Sequence, residues 1–191
     1  MNENKAFPNV EPRPSVAVEL MGERAISEAV AEAAARFLSE KGDRPLCVVG
    51  LATRGVPLAR RLAAKMKELG VEAGFGSIDP SFYRDDYHTR IKMPSPDLPT
   101  PQNLDGAGVI LVDDVMYTGR SVRAALTALL DLGRPAFVRL WVLVDRPGRE
   151  RPSVPDLSGM CLEGRVSGEV RVRLKETDGE DVVLLTEGKG E

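Results

Sequence analysis

VILVDDVMYTGRS, the stretch from Val109 to Ser121, decides how the chain reads. Its first four residues are uniformly apolar, the pattern of a strand buried on both faces. Two adjacent carboxylates follow, Asp113 and Asp114. At the end of a fixed strand such a pair can accept hydrogen bonds from vicinal hydroxyls or hold a hydrated magnesium ion. Thr118, Gly119 and Ser121 then open a helix whose apolar stripe is Val122, Ala125, Leu126, Leu129 and Leu130, with Gly133 as its stop. Free backbone N–H groups and the dipole at a helix start favour a phosphate, and a glycine lets the anion approach the chain. A ribose beside a phosphate fits both halves of the run. A capped helix after a buried strand would explain each piece singly, but the ordered whole favours a ligand site. The stretch is not a Walker loop, since GxxxxGK[ST] is absent, and no GxGxxG follows any strand.

Outward from this stretch, strands and helices alternate. Ile26, Val30, Ala33, Phe37 and Leu38 predict a helix over Glu23–Lys41, and Leu46–Gly50 is a second buried strand. A helix with Pro57 near its start and Leu58, Leu62 and Met66 on one face runs to Gly70. Strands are predicted at Val71–Ile78 and Ala136–Val144. Glu169–Leu174 and Asp181–Leu185, around the turn Thr177–Gly179, read as a C-terminal β-hairpin. Residues 147–165 are rich in proline and glycine and fit no element. Such alternation implies an α/β fold with a mainly parallel central sheet flanked by helices, which binds ligands beyond the carboxyl ends of its strands. Residues 1–14 hold three prolines and no apolar period, so they read as a flexible arm preceding a single domain over 15–191. Residues 84–106 are polar, aperiodic and interrupted by four prolines, as expected of a mobile functional loop.

Composition excludes several classes. Lys and Arg number 26 against 29 Asp and Glu, a net charge of −3 that argues against a generally basic nucleic-acid coat. Two cysteines, Cys47 and Cys161, are too few for a disulfide framework, and the apolar run around Cys47 predicts a buried thiol. The single histidine, His88, excludes a multi-histidine metal site. No membrane span or signal pattern is evident, so a cytoplasmic protein is expected.

VILVDDVMYTGRS resembles the signature of type I phosphoribosyltransferases, which bind 5-phosphoribosyl 1-pyrophosphate (PRPP). Three further segments narrow the resemblance: the run from Thr53-Arg-Gly to Leu62, Ser81-Phe-Tyr-Arg-Asp-Asp86, and Leu130–Pro135 followed by Val142–Arg146. Together they resemble the PyrR family, regulators of pyrimidine operons that are also uracil phosphoribosyltransferases. The resemblance covers roughly residues 15–185 and implies the type I fold with a small hood. It implies ribose contacts from Asp113 and Asp114, and a 5′-phosphate loop of Thr118, Gly119, Arg120 and Ser121 preceded by Val115, Met116 and Tyr117. Thr53, Arg54 and Gly55 would contact the pyrophosphate, in a loop that often carries a non-proline cis peptide. Tyr83, Arg84, Asp85 and Asp86 would begin the loop that closes over the site, where His88, Arg90 and Lys92 could also reach the pyrophosphate. Asp113, Asp114 and Arg54 would be the catalytic set, with Mg2+ bound mainly through PRPP and no firm protein metal ligand.

Uracil, UMP and UTP are the implied ligands, pyrimidine-operon mRNA an implied partner, and a homodimer or larger homo-oligomer the implied assembly. Two departures qualify this. The first helix, Ser27–Glu40, carries Arg36 as its only cation, and Pro147-Gly-Arg-Glu-Arg-Pro152 stands where the family has a histidine-bearing GHRELP. Arg146, Arg149 and Arg151 form either a residual RNA patch or a solvated turn. Ser153–Gly168 matches the family poorly, with Glu163-Gly-Arg165 in place of its Pro-Thr-Ser stretch. Two alternatives therefore stand beside the uracil enzyme: a phosphoribosyltransferase for another base, or a nucleotide-binding regulator with weak catalysis.

Overall fold

Alternation along three central strands sorts their side chains between two cores. The computed structural model describes residues 17–79, 101–102, 104–164 and 166–186. Within them run β1 (Ala17–Gly22), α1 (Glu23–Glu40), β2 (Leu46–Leu51), α2 (Gly55–Glu68), β3 (Gly74–Ile78) and β4 (Gly108–Met116). α3 (Arg120–Leu132), β5 (Phe137–Asp145), β6 (Leu157–Cys161), β7 (Glu169–Arg173), α4 (Lys175–Asp178) and β8 (Val182–Thr186) follow. Val48, Ile110, Val112, Trp141 and Leu143 pack with Ile26, Phe37, Leu58 and Leu62 of α1 and α2. Val49, Val109, Leu111, Leu140 and Val142 pack on the other side with Val122, Ala125 and Leu129 of α3. Residues with period two on each strand thus meet helices on both faces, which is why these strands read as continuous apolar runs.

The central sheet is wholly parallel, in the order β3-β2-β4-β5-β6. The chain steps outward from β2 to β3, then returns to the other side of β2 to lay down β4. The order therefore reverses between β2 and β4, and a crevice opens at their carboxyl ends. A second sheet, β1-β8-β7, is antiparallel and adds Val170, Val172 and Val183 to the core over α1 and α2. It is the hood with its C-terminal hairpin.

The structure departs from the expected elements in places. β4 continues past Val112 to Met116, because Asp113, Val115 and Met116 still pair with Val142, Val144 and Asp145 of β5. β3 begins at Gly74 rather than Val71, where its pairing with Cys47 begins. β1 and β6 were not anticipated. β1 is mostly exposed and owes its extended form to β8, with Val18 opposite Leu185. The hairpin connection contains the helical turn α4 instead of a tight turn. Leu104, at the carboxyl end of the expected mobile loop, is buried in the α3-side core. Burial pushes the Cys47 thiol up to about 11, as its apolar setting demands. Residues 1–14 and 84–100 of the expected arm and loop lie outside the described residues.

Candidate functional site

The crevice exists because β2 and β4 part. Their pairing ends at Gly50 opposite Val112. β2 then turns through a loop in which the Ala52–Thr53 peptide is cis and enters α2, with Arg54 at its N-cap and Gly55 as its first residue. Gly55 lies directly on β4: a Cβ there would come within 2.4 Å of the Val112 carbonyl oxygen. Only a residue without a side chain lets the loop settle so close to the strand end. Arg54 is thereby set beside the free edge of β4.

The continued strand divides the two aspartates. Successive side chains on a strand point to opposite faces. Asp113 lines a cavity of about 280 Å³ with residues between Val115 and Val122. Asp114 lines a second, of about 500 Å³, with Arg54, Asp178 and the β7 residues Glu169 to Arg173. Val115 belongs to the wall of both. Packing around the Asp113 carboxyl, aided by the negative charge of Asp114, holds its pKa well above the usual carboxylate range. The Asp114 N–H donates to Asp113 Oδ1 at 2.9 Å and partly offsets this. Hydroxyl donors or a cation arriving at the pair would restore the full charge.

The smaller cavity sits at the start of α3. Gly119 is the N-cap in the left-handed region, with φ of 84°, and the Thr118 hydroxyl accepts from the Arg120 N–H at 3.4 Å. The N-cap glycine itself has no side chain to cap α3, which leaves a helix start suited to an anion. Tyr117 is exposed, its ring covered on one face by the Arg146 guanidinium, 4.2 Å from the centroid. Arg120 pairs with Glu150 at 2.6 Å.

Across the larger cavity, the hairpin reaches back to α2. Arg54 Nη2 donates to Asp178 Oδ1 at 3.2 Å, while Arg54 Nε is buried without a hydrogen-bond partner. Arg61, two helical turns on, grips Glu176 (2.8 and 2.5 Å) and Asp181 (2.9 and 2.7 Å) through four hydrogen bonds. The hydroxyl of Thr177, then the Leu174 N–H and Arg54, hold Asp178 down to about 2, and Arg61 lowers Glu176.

The structure thus brings together Thr53, Arg54 and Gly55 with Asp113, Asp114 and Val115 through Ser121, on the two loops flanking the crevice. Tyr83, Arg84, Asp85 and Asp86, with His88, Arg90 and Lys92, lie outside the described residues. Asp178 and the β7 residues were missed. No local signal marks them, because Asp178 meets Arg54 across 124 residues. Of the three arginines read as a residual patch or a solvated turn, Arg146 donates to the Gly168 and Val166 carbonyls, and Arg149 to those of Met116 and Tyr117. Both guanidiniums are spent on backbone oxygens that the sequence could not show to be nearby.

Similarity to known proteins agrees with this geometry. The Phosphoribosyl transferase domain family matches residues 19–177. "Bifunctional protein PyrR" of Akkermansia muciniphila is 48% identical over 163 residues, 84% of this chain and 90% of that protein. The protein of the same name from Corynebacterium efficiens is 43% identical over 187 residues, 94% and 97% of the two chains. Among solved structures, a hypoxanthine-guanine phosphoribosyltransferase of Bacillus anthracis superposes with a TM-score of 0.66 at 17% identity, over 88% of this chain and 96% of that one. A hypoxanthine phosphoribosyltransferase of Trypanosoma cruzi gives 0.66 at 20% identity, over 89% and 97%. At that identity the likeness is one of fold.

Two outcomes are expected. Gly55→Ala should destabilise the chain by about 1–3 kcal/mol in urea unfolding, because the new methyl group overpacks the Val112 carbonyl. Wild-type stability would mean that the loop is free to lift. Arg61 lowers the Glu176 and Asp181 carboxyls below their unfolded values, so the clamp's contribution is present above roughly pH 4 and is lost as pH falls below that. The melting temperatures of wild type and Arg61→Gln should therefore differ near pH 7 and converge across that window. A difference independent of pH would remove the clamp.

Proposed function

The chain belongs to the phosphoribosyl transferase family, among the bifunctional PyrR proteins, and from that premise we propose that it joins uracil to PRPP, giving UMP and diphosphate, and regulates pyrimidine-operon transcription. The observation that carries the catalytic reading is the pair of cavities sharing the Val115 wall: a helix-start anion site on one side, Arg54 on the other, and an aspartate in each. PRPP has that sequence of parts, with a 5′-phosphate, a ribose and a diphosphate.

The 5′-phosphate takes the loop from Thr118 to Ser121. Asp113 and Asp114 accept from the ribose hydroxyls from opposite sides of β4. Arg54, already charged and with Nε unpaired, receives the diphosphate. As the bond from C1 to the diphosphate oxygen lengthens, positive charge develops on the ribose, and the two carboxylates lie where they favour it. The guanidinium of Arg54 takes up the charge gathering on the departing oxygens. Uracil N1 then bonds to C1 as the C1–O bond breaks, and its proton passes to the departing diphosphate, so no covalent enzyme intermediate is needed. A hydrated Mg2+ would be held mainly through PRPP, with the Asp114 carboxylate beside it as a hard oxygen donor, and would supply charge neutralisation for the leaving diphosphate. Arg146 ties down the carbonyls of Val166 and Gly168, fixing the segment that would cap the base.

The regulatory half rests on family membership. We assign it to uridine-nucleotide-dependent binding of pyrimidine-operon mRNA, by a homo-oligomer in the cytoplasm. No helix among the described residues is long and apolar enough to cross a membrane.

With PRPP and Mg2+, the wild type should form product from uracil and not from orotate, hypoxanthine, guanine or adenine. Asp114→Asn should lower turnover by about a hundredfold, since a charge facing the developing cation is lost. Product from another base alone would overturn the uracil assignment, and near-wild-type turnover in the variant would remove Asp114 from the chemistry. Operon leader RNA should bind more tightly with UMP present and weaken steeply with salt. Absence of binding at low salt would leave the enzyme alone standing.

A further inference from the structure

We infer that Arg149 is a positioning residue for the 5′-phosphate loop. This rests on the phosphoribosyltransferase reading and adds to it a residue outside the expected phosphate loop. Three successive carbonyls lead into that loop, and the segment after β5 holds all three. Met116 O accepts from the Arg146 N–H at 3.0 Å and from Arg149 Nη1 at 3.2 Å. Tyr117 O accepts from Arg149 Nη1 at 2.6 Å. Thr118 O accepts from the N–H groups of Glu150 and Arg151, each at 3.0 Å.

A trans peptide sends the N–H of one residue opposite to the C=O of the residue before it. Fixing the carbonyls of Met116, Tyr117 and Thr118 toward residues 146–151 therefore turns the amides of Tyr117, Thr118 and Gly119 the other way. The phosphate cavity lies on that other side, because every residue lining it falls between Asp113 and Val122 and none comes from the bracing segment. The loop's donors are thus aimed before a ligand arrives, which spares the ordering cost on binding.

Among the described hydrogen bonds to these carbonyls, Arg149 supplies the side-chain donor. It is three-quarters buried, pairs with Asp145, and also donates to Arg146 O at 2.7 Å and Ser153 O at 3.2 Å. The Asp145 carboxylate orients the guanidinium, and the carbonyls of Arg146 and Ser153 keep the segment folded around it. Only the planar fork of arginine reaches so many acceptors at once, and a lysine ammonium would reach fewer of them. The segment also supports the loop from below, where a Cβ on Gly119 would meet Ser153 Oγ at 2.6 Å.

The full chain with Arg149→Gln is compared with wild type in two titrations. UMP carries the 5′-phosphate, whereas magnesium diphosphate, followed as a product inhibitor, engages the Arg54 side. UMP affinity should fall by about tenfold or more, while diphosphate inhibition stays within about twofold. Arg149→Lys should fall between the two chains. Guanidinium chloride at low millimolar concentration should restore part of the UMP affinity in Arg149→Gly, a rescue that general loosening of the fold would not give. If Arg149→Gln does not fold, the lysine variant and the rescue carry the test. Equal UMP affinity in wild type and variant overturns the brace, as does an equal loss of UMP and diphosphate binding. A wild type that binds neither UMP nor PRPP overturns the reading beneath it, and the brace falls with it.

Discussion

The rest of the site depends on where one ladder of backbone hydrogen bonds stops. β2 and β4 pair through Gly50 and Val112 and no further, and β4 then continues for four residues on β5 alone. That exposed edge is the floor of the crevice, and the loop after β2 and the loop after β4 face each other across it. Register is what gives each aspartate its place. Ile110 and Val112 face α1 and α2 while Val109 and Leu111 face α3, so Asp113 inherits the α3 side and Asp114 the hood side. A slip of one residue would exchange the two carboxylates and bury every apolar side chain on the wrong face. The cores thus enforce the site's geometry at a distance.

The hood is held unequally at its two ends. Arg61 makes four hydrogen bonds to two carboxylates, one of them only 7% exposed, and such a bidentate, partly sheltered pair outweighs an ordinary surface contact. Arg54 makes a single 3.2 Å contact with Asp178 and is itself 42% exposed, a geometry typically worth little. The anchor is therefore firm away from the crevice and weak beside it. An arriving anion can take the remaining donors of Arg54 without unseating the hairpin.

Much of this was legible in the sequence, and the reasons differ by element. The central strands and the three long helices announced themselves through local periodicity, because each buries a continuous face. The loop before α3 was legible because the proposed phosphate site needs a fixed order of residue types: strand, acids, hydroxyls, glycine, helix. The sequence did not disclose that β4 runs on through the acids, since extension depends on β5 offering Val142 and Val144 as partners. Nor did it disclose β1, a short and mostly exposed run that is extended because β8 lies beside it. Asp178 and Arg149 were hidden for the same reason. A carboxylate in a turn and an arginine in a proline-rich run acquire meaning only from partners 124 and 32 residues away.

The fate of the arginines shows how a chain of net charge −3 sets its cations to different tasks. Cations differ in how readily they can be redirected to a phosphodiester. Arg24 pairs with Glu28, and Arg36 with Glu40, across single turns of α1 at the surface. Such pairs are worth about 0.3–0.5 kcal/mol and are screened by salt, so exchanging a glutamate for a phosphate costs little. Arg149 instead spans four backbone carbonyls and a carboxylate, and releasing it would break all five contacts together, so it is far less exchangeable than a surface pair. Arg146 is similarly engaged, with the Tyr117 ring and two carbonyls. The segment after β5 has therefore committed the guanidiniums of Arg146 and Arg149 to shaping the loop before α3, whereas the arginines of the first helix stay exchangeable.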